Sequence, residues 1–212
     1  MSDYSSRIQK LKKDILEFQS KYGFENFEIM ETEIYRLQLN LTLYIGKLSL
    51  AESELGVKFL EEYSAFLLEI CDGMKGKWFS LLPLQVAMDA THWDIRADFT
   101  CVEPWNPEYQ GLMSDDSPET LGAEEYEHRQ KWLLWWGDSN QMKGTLCVQD
   151  MGDGYYRHLV INGGQRRYLW EDLRAVDEDI IPTTLHQKTV DFLNYYEHEI
   201  RYNLRGLENE LQ

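Results

Sequence analysis

The residues able to do chemistry are numerous, but their spacing forms no known site. The five histidines, His92, His128, His158, His186 and His198, never pair at the i, i+3 or i+4 spacing by which one helix presents two imidazoles to a metal. Asp150 and Asp153, with glycines between and after them, imitate a calcium loop only in part, because the third acidic ligand and the closing glutamate are missing from the required positions. Gly152, Gly154, Gly163 and Gly164 fit neither a dinucleotide-binding fingerprint nor a P-loop, and no lysine follows a glycine loop into a helix. There is no G-x-S-x-G, and none of the cysteines sits in a nucleophile motif. His158, beside Tyr155 and Tyr156, reads as a sheet-surface residue rather than a base. Carboxylate pairs leave acid–base chemistry open, since 37 acids always include close neighbours, most of them solvated. The expectation is therefore a protein without catalytic residue, metal or cofactor, whose chemistry is that of a binding surface.

Charge says more. The formal net charge is −16. Such a surface repels phosphate backbones and anionic membranes, so neither nucleic acid nor membrane is an expected partner. A basic protein is its natural complement, although acidic surfaces also serve solubility. Residues 98 to 128 concentrate the acids in Asp98, Glu103, Glu108, Asp115, Asp116, Glu119, Glu124, Glu125 and Glu127, with no lysine or arginine between them. Cys71, Cys101 and Cys147 form no C-x-x-C pair and no even set, which points to a reducing cytoplasm. The N-terminal residues lack the apolar core of a signal peptide, and no apolar run is long enough to cross a bilayer.

The elements that must carry these residues alternate between two periods. Ile8, Leu11, Ile15 and Phe18 predict a helix over 5–20. Residues 31–48 fit two patterns. Ile34, Leu37, Leu41 and Ile45 suit a helix, whereas Leu37, Leu39, Leu41, Leu43 and Ile45 alternate like a strand; the helix is preferred. Residues 1–48 are read as an N-terminal helical extension and 49–212 as the main domain. Ser49 and Glu52 suggest a capping box, with Gly56 ending that short helix. Phe59, Tyr63, Phe66, Leu67 and Ile70 mark the next helix, over 58–71. Strands and loops follow from Trp78, with a long surface loop over 106–122. A helix over 124–137 brings Trp132, Trp135 and Trp136 together as core or interface rather than as a cofactor site. Residues 144–150, 155–161 and 167–170 form an antiparallel meander, with Asn162-Gly163 as a hairpin signal. Val190, Leu193, Tyr196, Ile200, Leu204 and Leu207 close the chain as a helix.

The order of these motifs resembles the SUKH superfamily, which includes fungal cell-wall synthesis regulators and bacterial toxin-immunity proteins. The matching residues are Glu52, Glu54, Leu55-Gly56, Phe59-Leu60, Tyr63, Phe66-Leu67 and Asp72-Gly73. After them come Asp98 to Trp105, then Gly144, Leu146, Val148, Gly152, Gly154, Leu159-Val160-Ile161, Gly163, Leu169-Trp170 and Phe192 to Tyr196. The match spans roughly residues 49 to 204. Leu60 stands where the family has proline, Arg167 where a second glycine would close the turn, and Tyr195 where a tryptophan is usual.

The resemblance implies a single α+β domain, a mostly antiparallel sheet flanked by helices, acting as a binding protein rather than an enzyme. Its bacterial members neutralise secreted toxins, often nucleases, by direct contact; its fungal members are regulatory scaffolds, which is the alternative reading. Charge places the expected contact with a basic toxin on Asp115, Asp116, Glu119, Glu124 and Glu125, with Trp105 and Tyr109 as aromatic anchors. The competing reading makes the block a solvated loop and Trp105 a core residue.

Overall fold

In the computed structural model, the described residues are all except 1–2, 23–29, 32–35, 106, 109, 177 and 212. The chain forms an α+β domain in which helices cover one face of an antiparallel sheet, as expected. Helix α1 (Asp3–Tyr22) is followed by β1 (Met30–Glu31), β2 (Arg36–Leu39), α2 (Ile45–Leu55), α3 (Glu61–Glu69), β3 (Met74–Gly76), β4 (Ser80–Leu81) and α4 (Leu84–Asp89). Then come α5 (Pro118–Leu121), α6 (Ala123–Trp136), β5 (Thr145–Gly152), β6 (Tyr155–Val160), β7 (Leu169–Asp172), β8 (Ile180–Pro182), β9 (Thr184–Leu185), β10 (Lys188–Thr189) and α7 (Phe192–Glu210). Strands β1 to β4 and β5 to β8 form two antiparallel meanders, joined where the Leu82 amide donates to the Val148 carbonyl at 2.8 Å.

Strand alternation separates two cores. Leu146, Val148, Leu159, Ile161 and Leu169 face the helices and join Ile8, Leu11, Tyr63, Phe66, Phe192 and Tyr196 in the main core. Val160, Trp170 and Ile180 point the other way and pack with Phe99 and Met142 beneath the segment that runs through Trp93 and Trp105.

Helix α1 packs into the main core through Ile8, Leu11, Ile15 and Phe18. It runs parallel to α7, and their polar contacts recur every seven residues. Arg7 donates to Asn194 at 2.7 Å, Arg201 pairs with Asp14, and Lys21 pairs with Glu208 at 2.6 Å. Seven residues is two helical turns, so one edge of each helix keeps facing the other.

The segment 31–48 corrects the sequence reading. Arg36–Leu39 is a strand, with Leu37 opposite Gly76 and Leu39 opposite Met74. The alternating pattern prevails there because a sheet partner is available; residues 32–35 lie outside the described part. The next helix starts at Ile45, so Ser49 is interior and caps nothing. Glu52 instead accepts the Phe59 amide at 3.1 Å and pairs with Lys58, which holds residues 57–60 extended and delays α3 to Glu61. Gly56 ends α2 with φ 67, as expected.

The antiparallel meander expected over 144–170 appears, with its third strand at Leu169–Asp172 instead of 167–170, but Asn162-Gly163 is not a two-residue hairpin turn. The connection from β6 to β7 runs from Ile161 to Tyr168. Gly163 (φ 104) and Gly144 (φ 78) both lie against the Phe99 backbone, where an added Cβ would come within 2.5 Å of the Phe99 carbonyl oxygen and 2.4 Å of its amide nitrogen respectively. Glycine is required at both positions by conformation and by space. The Phe99 amide donates to the Asn162 carbonyl at 3.1 Å. This clasp carries the following chain across the outer face of the sheet towards Trp105.

Candidate protein interface

Among the described residues of 105–137, which form an arm, Trp105 and the C-terminal end of α6 meet one edge of the sheet. The root of the arm is Trp105. The Trp105 amide donates to the Ile180 carbonyl at 2.9 Å, and the Ile180 amide donates back at 3.2 Å, so the backbone closes the exposed edge of β8. The Trp105 ring is half-buried. It packs 5.3 Å from Trp135 and 5.0 Å from Trp136, and Trp132 stacks on Trp136 at 5.0 Å with planes 19° apart. Four indoles therefore form one continuous cluster at the C-terminal end of α6.

Trp132, Leu133, Leu134, Trp135 and Trp136 are consecutive. At about 100° per residue they wrap the whole helix, so they cannot all face one core. Trp136 takes the inward position, at 3% exposed, while Trp135 is 44% and Leu134 76% exposed. Val102 and Met113 on the preceding chain are also open, at 72% and 59%. Adjacent large apolar side chains left open, as Leu134 and Trp135 are, are a feature of contact surfaces.

The acids occupy the other end of α6. Ser117 and Thr120 form a capping box that starts α5, with the Thr120 amide donating to Ser117 Oγ at 3.2 Å and the Ser117 amide to Thr120 Oγ1 at 2.8 Å. Asp115 and Glu119 are exposed, and Glu124 and Glu125 stand exposed in the first turn of α6, where negative charge suits the helix dipole. The backbone amide at the helix start holds the Glu119 carboxyl below its ordinary value. Asp116 is half-buried; it accepts the Met113 amide at 2.8 Å and meets Arg129 at 3.4 Å. Arg129 also pairs with Glu125 at 2.9 Å, so Asp116 and Glu125 are joined through a cation one residue beyond the acidic block.

The sequence-derived candidates thus separate into two groups. Asp115, Asp116, Glu119, Glu124 and Glu125 gather around α5 and the start of α6. Trp105 belongs to the indole cluster, about 20 Å away along a 14-residue helix. Tyr109 lies outside the described residues. Leu133, Leu134 and Arg174 were missed. The unbroken apolar run signalled the leucines, but no local pattern marks Arg174, which arrives from the end of β7.

Arg174 donates to the Trp136 carbonyl at 2.5 Å and the Asp138 carbonyl at 3.0 Å, and its guanidinium lies 5.7 Å from the Trp105 ring centre. Two further donations, 2.8 and 2.7 Å, bind it to both oxygens of Asp172. Burial alone would raise the Asp172 carboxyl, but the hydrogen bonds and charge of Arg174 outweigh it and hold the group below its ordinary value.

Beneath this region His158 is buried 5.2 Å from Trp93, and burial pushes its imidazole down to about 4. On the opposite face of the same strand, the buried Arg157 donates to Tyr195 at 2.6 Å and to Glu171 at 2.7 Å, and also contacts Gln149 and Thr183. Arg157 thus meets buried partners from β5, β7 and α7. Among the described residues, no three of His, Cys, Asp and Glu stand together as metal ligands, and no helix is long and apolar enough to cross a membrane. No protein-family model and no curated protein matches the chain.

Proposed function

We propose that this protein is a non-catalytic binding protein of the toxin-immunity kind, which neutralises a basic, nuclease-type secreted bacterial toxin by covering it with the arm 105–137. The observation that carries this reading is the exposed Leu134–Trp135 end of α6, set on the same arm as Asp115, Glu119, Glu124 and Glu125. Aromatic anchors supply binding energy when they are desolvated, and the acids supply steering and discrimination. A net charge of −16 opposes pairing with a second copy and favours a basic partner.

Two departures from the SUKH pattern are compatible with this reading. Leu60 has φ −64 and ψ 140, which a proline would also adopt. Arg167 has φ 84, the left-handed region that glycine prefers. The proposed protein acts in the cytoplasm of the toxin-producing cell, without cofactor.

The test is capture from native lysate at low and moderate salt, followed by expression of each captured protein alone and together with this chain. The reading expects one basic partner that kills cells on its own, with growth restored by the native chain and not by Trp135→Ala. A set of signalling proteins without toxicity would favour the regulatory scaffold. Equal rescue by Trp135→Ala would remove α6 from the contact.

A further inference from the structure

The C-terminal turn of α6 leaves carbonyl groups without intrahelical partners, and the helix has no basic residue there to meet them. A cation from another element occupies that place. Arg174 reaches the carbonyls of Trp136 and Asp138 from the end of β7, and the Trp136 indole N–H donates back to the Arg174 carbonyl at 3.5 Å. Asp172 grips the guanidinium through both carboxylate oxygens, which fixes its plane. Both side chains are largely buried, at 9% and 15% side-chain exposure. The arrangement is a helix cap supplied in trans, with positive charge at the negative end of the helix dipole.

We infer that Arg174, oriented by Asp172, is the positioning residue of the binding arm: it anchors the last turn of α6 to the sheet and thereby sets the geometry of the Trp105–Trp132–Trp135–Trp136 cluster. This rests on the reading of that cluster as the contact surface. The polar contacts of Arg129 and Lys131 with Asp116, Glu125 and Glu127 lie within the arm itself and do not fix it to the sheet. A flat, bidentate fork can hold Asp172 and two carbonyls at once; the compact ammonium of lysine cannot.

The test needs no partner, so its outcome is separate from that of the proposed function. Indoles stacked as closely as Trp132 and Trp136 give an exciton couplet in the far-ultraviolet circular dichroism, and amide hydrogen exchange reports opening of residues 133–138. In Arg174→Met, the couplet is expected to collapse and exchange over 133–138 to quicken by about 10-fold or more, as for lost hydrogen bonds to a charged group. Exchange in β5 and β6 should stay as it is. Arg174→Lys keeps charge and stem, and so guards against a variant that fails to fold; it is expected to lose part of the couplet with the sheet unaltered. An unchanged couplet in Arg174→Lys, or protection falling equally in β5, β6 and α6, overturns the assignment. The first result would mean that the fork is unnecessary, the second that Arg174 supports the whole fold rather than the arm.

Discussion

Helices α6 and α7 carry comparable shares of aromatic residues and use them in opposite ways. Nine of the 19 residues of α7 are buried, and its rings lock into α3: Phe192 lies 5.0 Å from Tyr63 and 5.4 Å from Phe66, and Tyr196 lies 6.1 Å from Phe66. One of the 14 residues of α6 is buried, and its rings pack mainly on one another and on Trp105. The difference lies in spacing. The apolar residues of α7 recur on one stripe that a single core can cover, whereas those of α6 are consecutive and surround the helix. The first arrangement stabilises a fold; the second leaves apolar surface for something else to cover.

The sharpest way to break this comparison is to cut each helix where it matters. Phe192→Ala should lower the unfolding free energy by about 3–5 kcal/mol in urea titrations, as for a fully buried aromatic. A loss as small as that of a surface change would mean that α7 is not the structural helix.

A second effect belongs to the sheet between them. The folded value of His158, about 4, lies below the ordinary histidine value of about 6.5, so the unfolded chain takes up the proton first as pH falls. The stability gained by keeping this imidazole neutral is fully present above about pH 6.5. It is lost between about 6.5 and 4, by up to ~3 kcal/mol. His158→Leu should flatten that part of the pH–stability curve; an identical slope in the variant would show that other groups cause it.

Trp135→Ala sharpens the α6 side. It should cost about 2 kcal/mol of affinity for the captured partner, roughly 30-fold, by calorimetry. Global stability should move far less than in Phe192→Ala, since Trp135 is 44% exposed.

The smallest expected effect is kinetic. Asp115→Lys with Glu124→Lys reverses two exposed charges and spares Asp116, which holds the Met113 amide and Arg129. Association with a basic partner should slow by several-fold at low salt and lose part of its salt dependence, while dissociation changes little. Unchanged association rates would confine the contact to the indole end of the arm.

Much of this was legible in local pattern. The 3–4 spacing of Ile8, Leu11, Ile15 and Phe18 marked α1, and the alternation of Leu146 and Val148 marked a strand with one face in the core. Such signals survive because a helix or strand repeats its own geometry every few residues. The apolar run in α6 was visible too, although only Trp132, Trp135 and Trp136 were singled out there, as core or interface, and the acids around α5 were visible as a block.

What only the tertiary structure decided involves partners far apart in the chain. Leu37 fitted both periods, and the choice of strand came from β3, more than thirty residues away. Ser49 lost its capping role because the chain entering α2 was already helical. Gly163 read as a turn residue and Gly144 as the start of a strand, yet both serve the Phe99 backbone passing between them. Arg174 had no motif at all. Its importance comes from the carbonyls of Trp136 and Asp138, 38 and 36 residues earlier, and from Asp172 beside it. Amino-acid order determined which segments carry apolar faces, acids and rings. Which of those meet was decided by packing, because a side chain's partner depends on where distant elements place it in space and not on its neighbours in sequence.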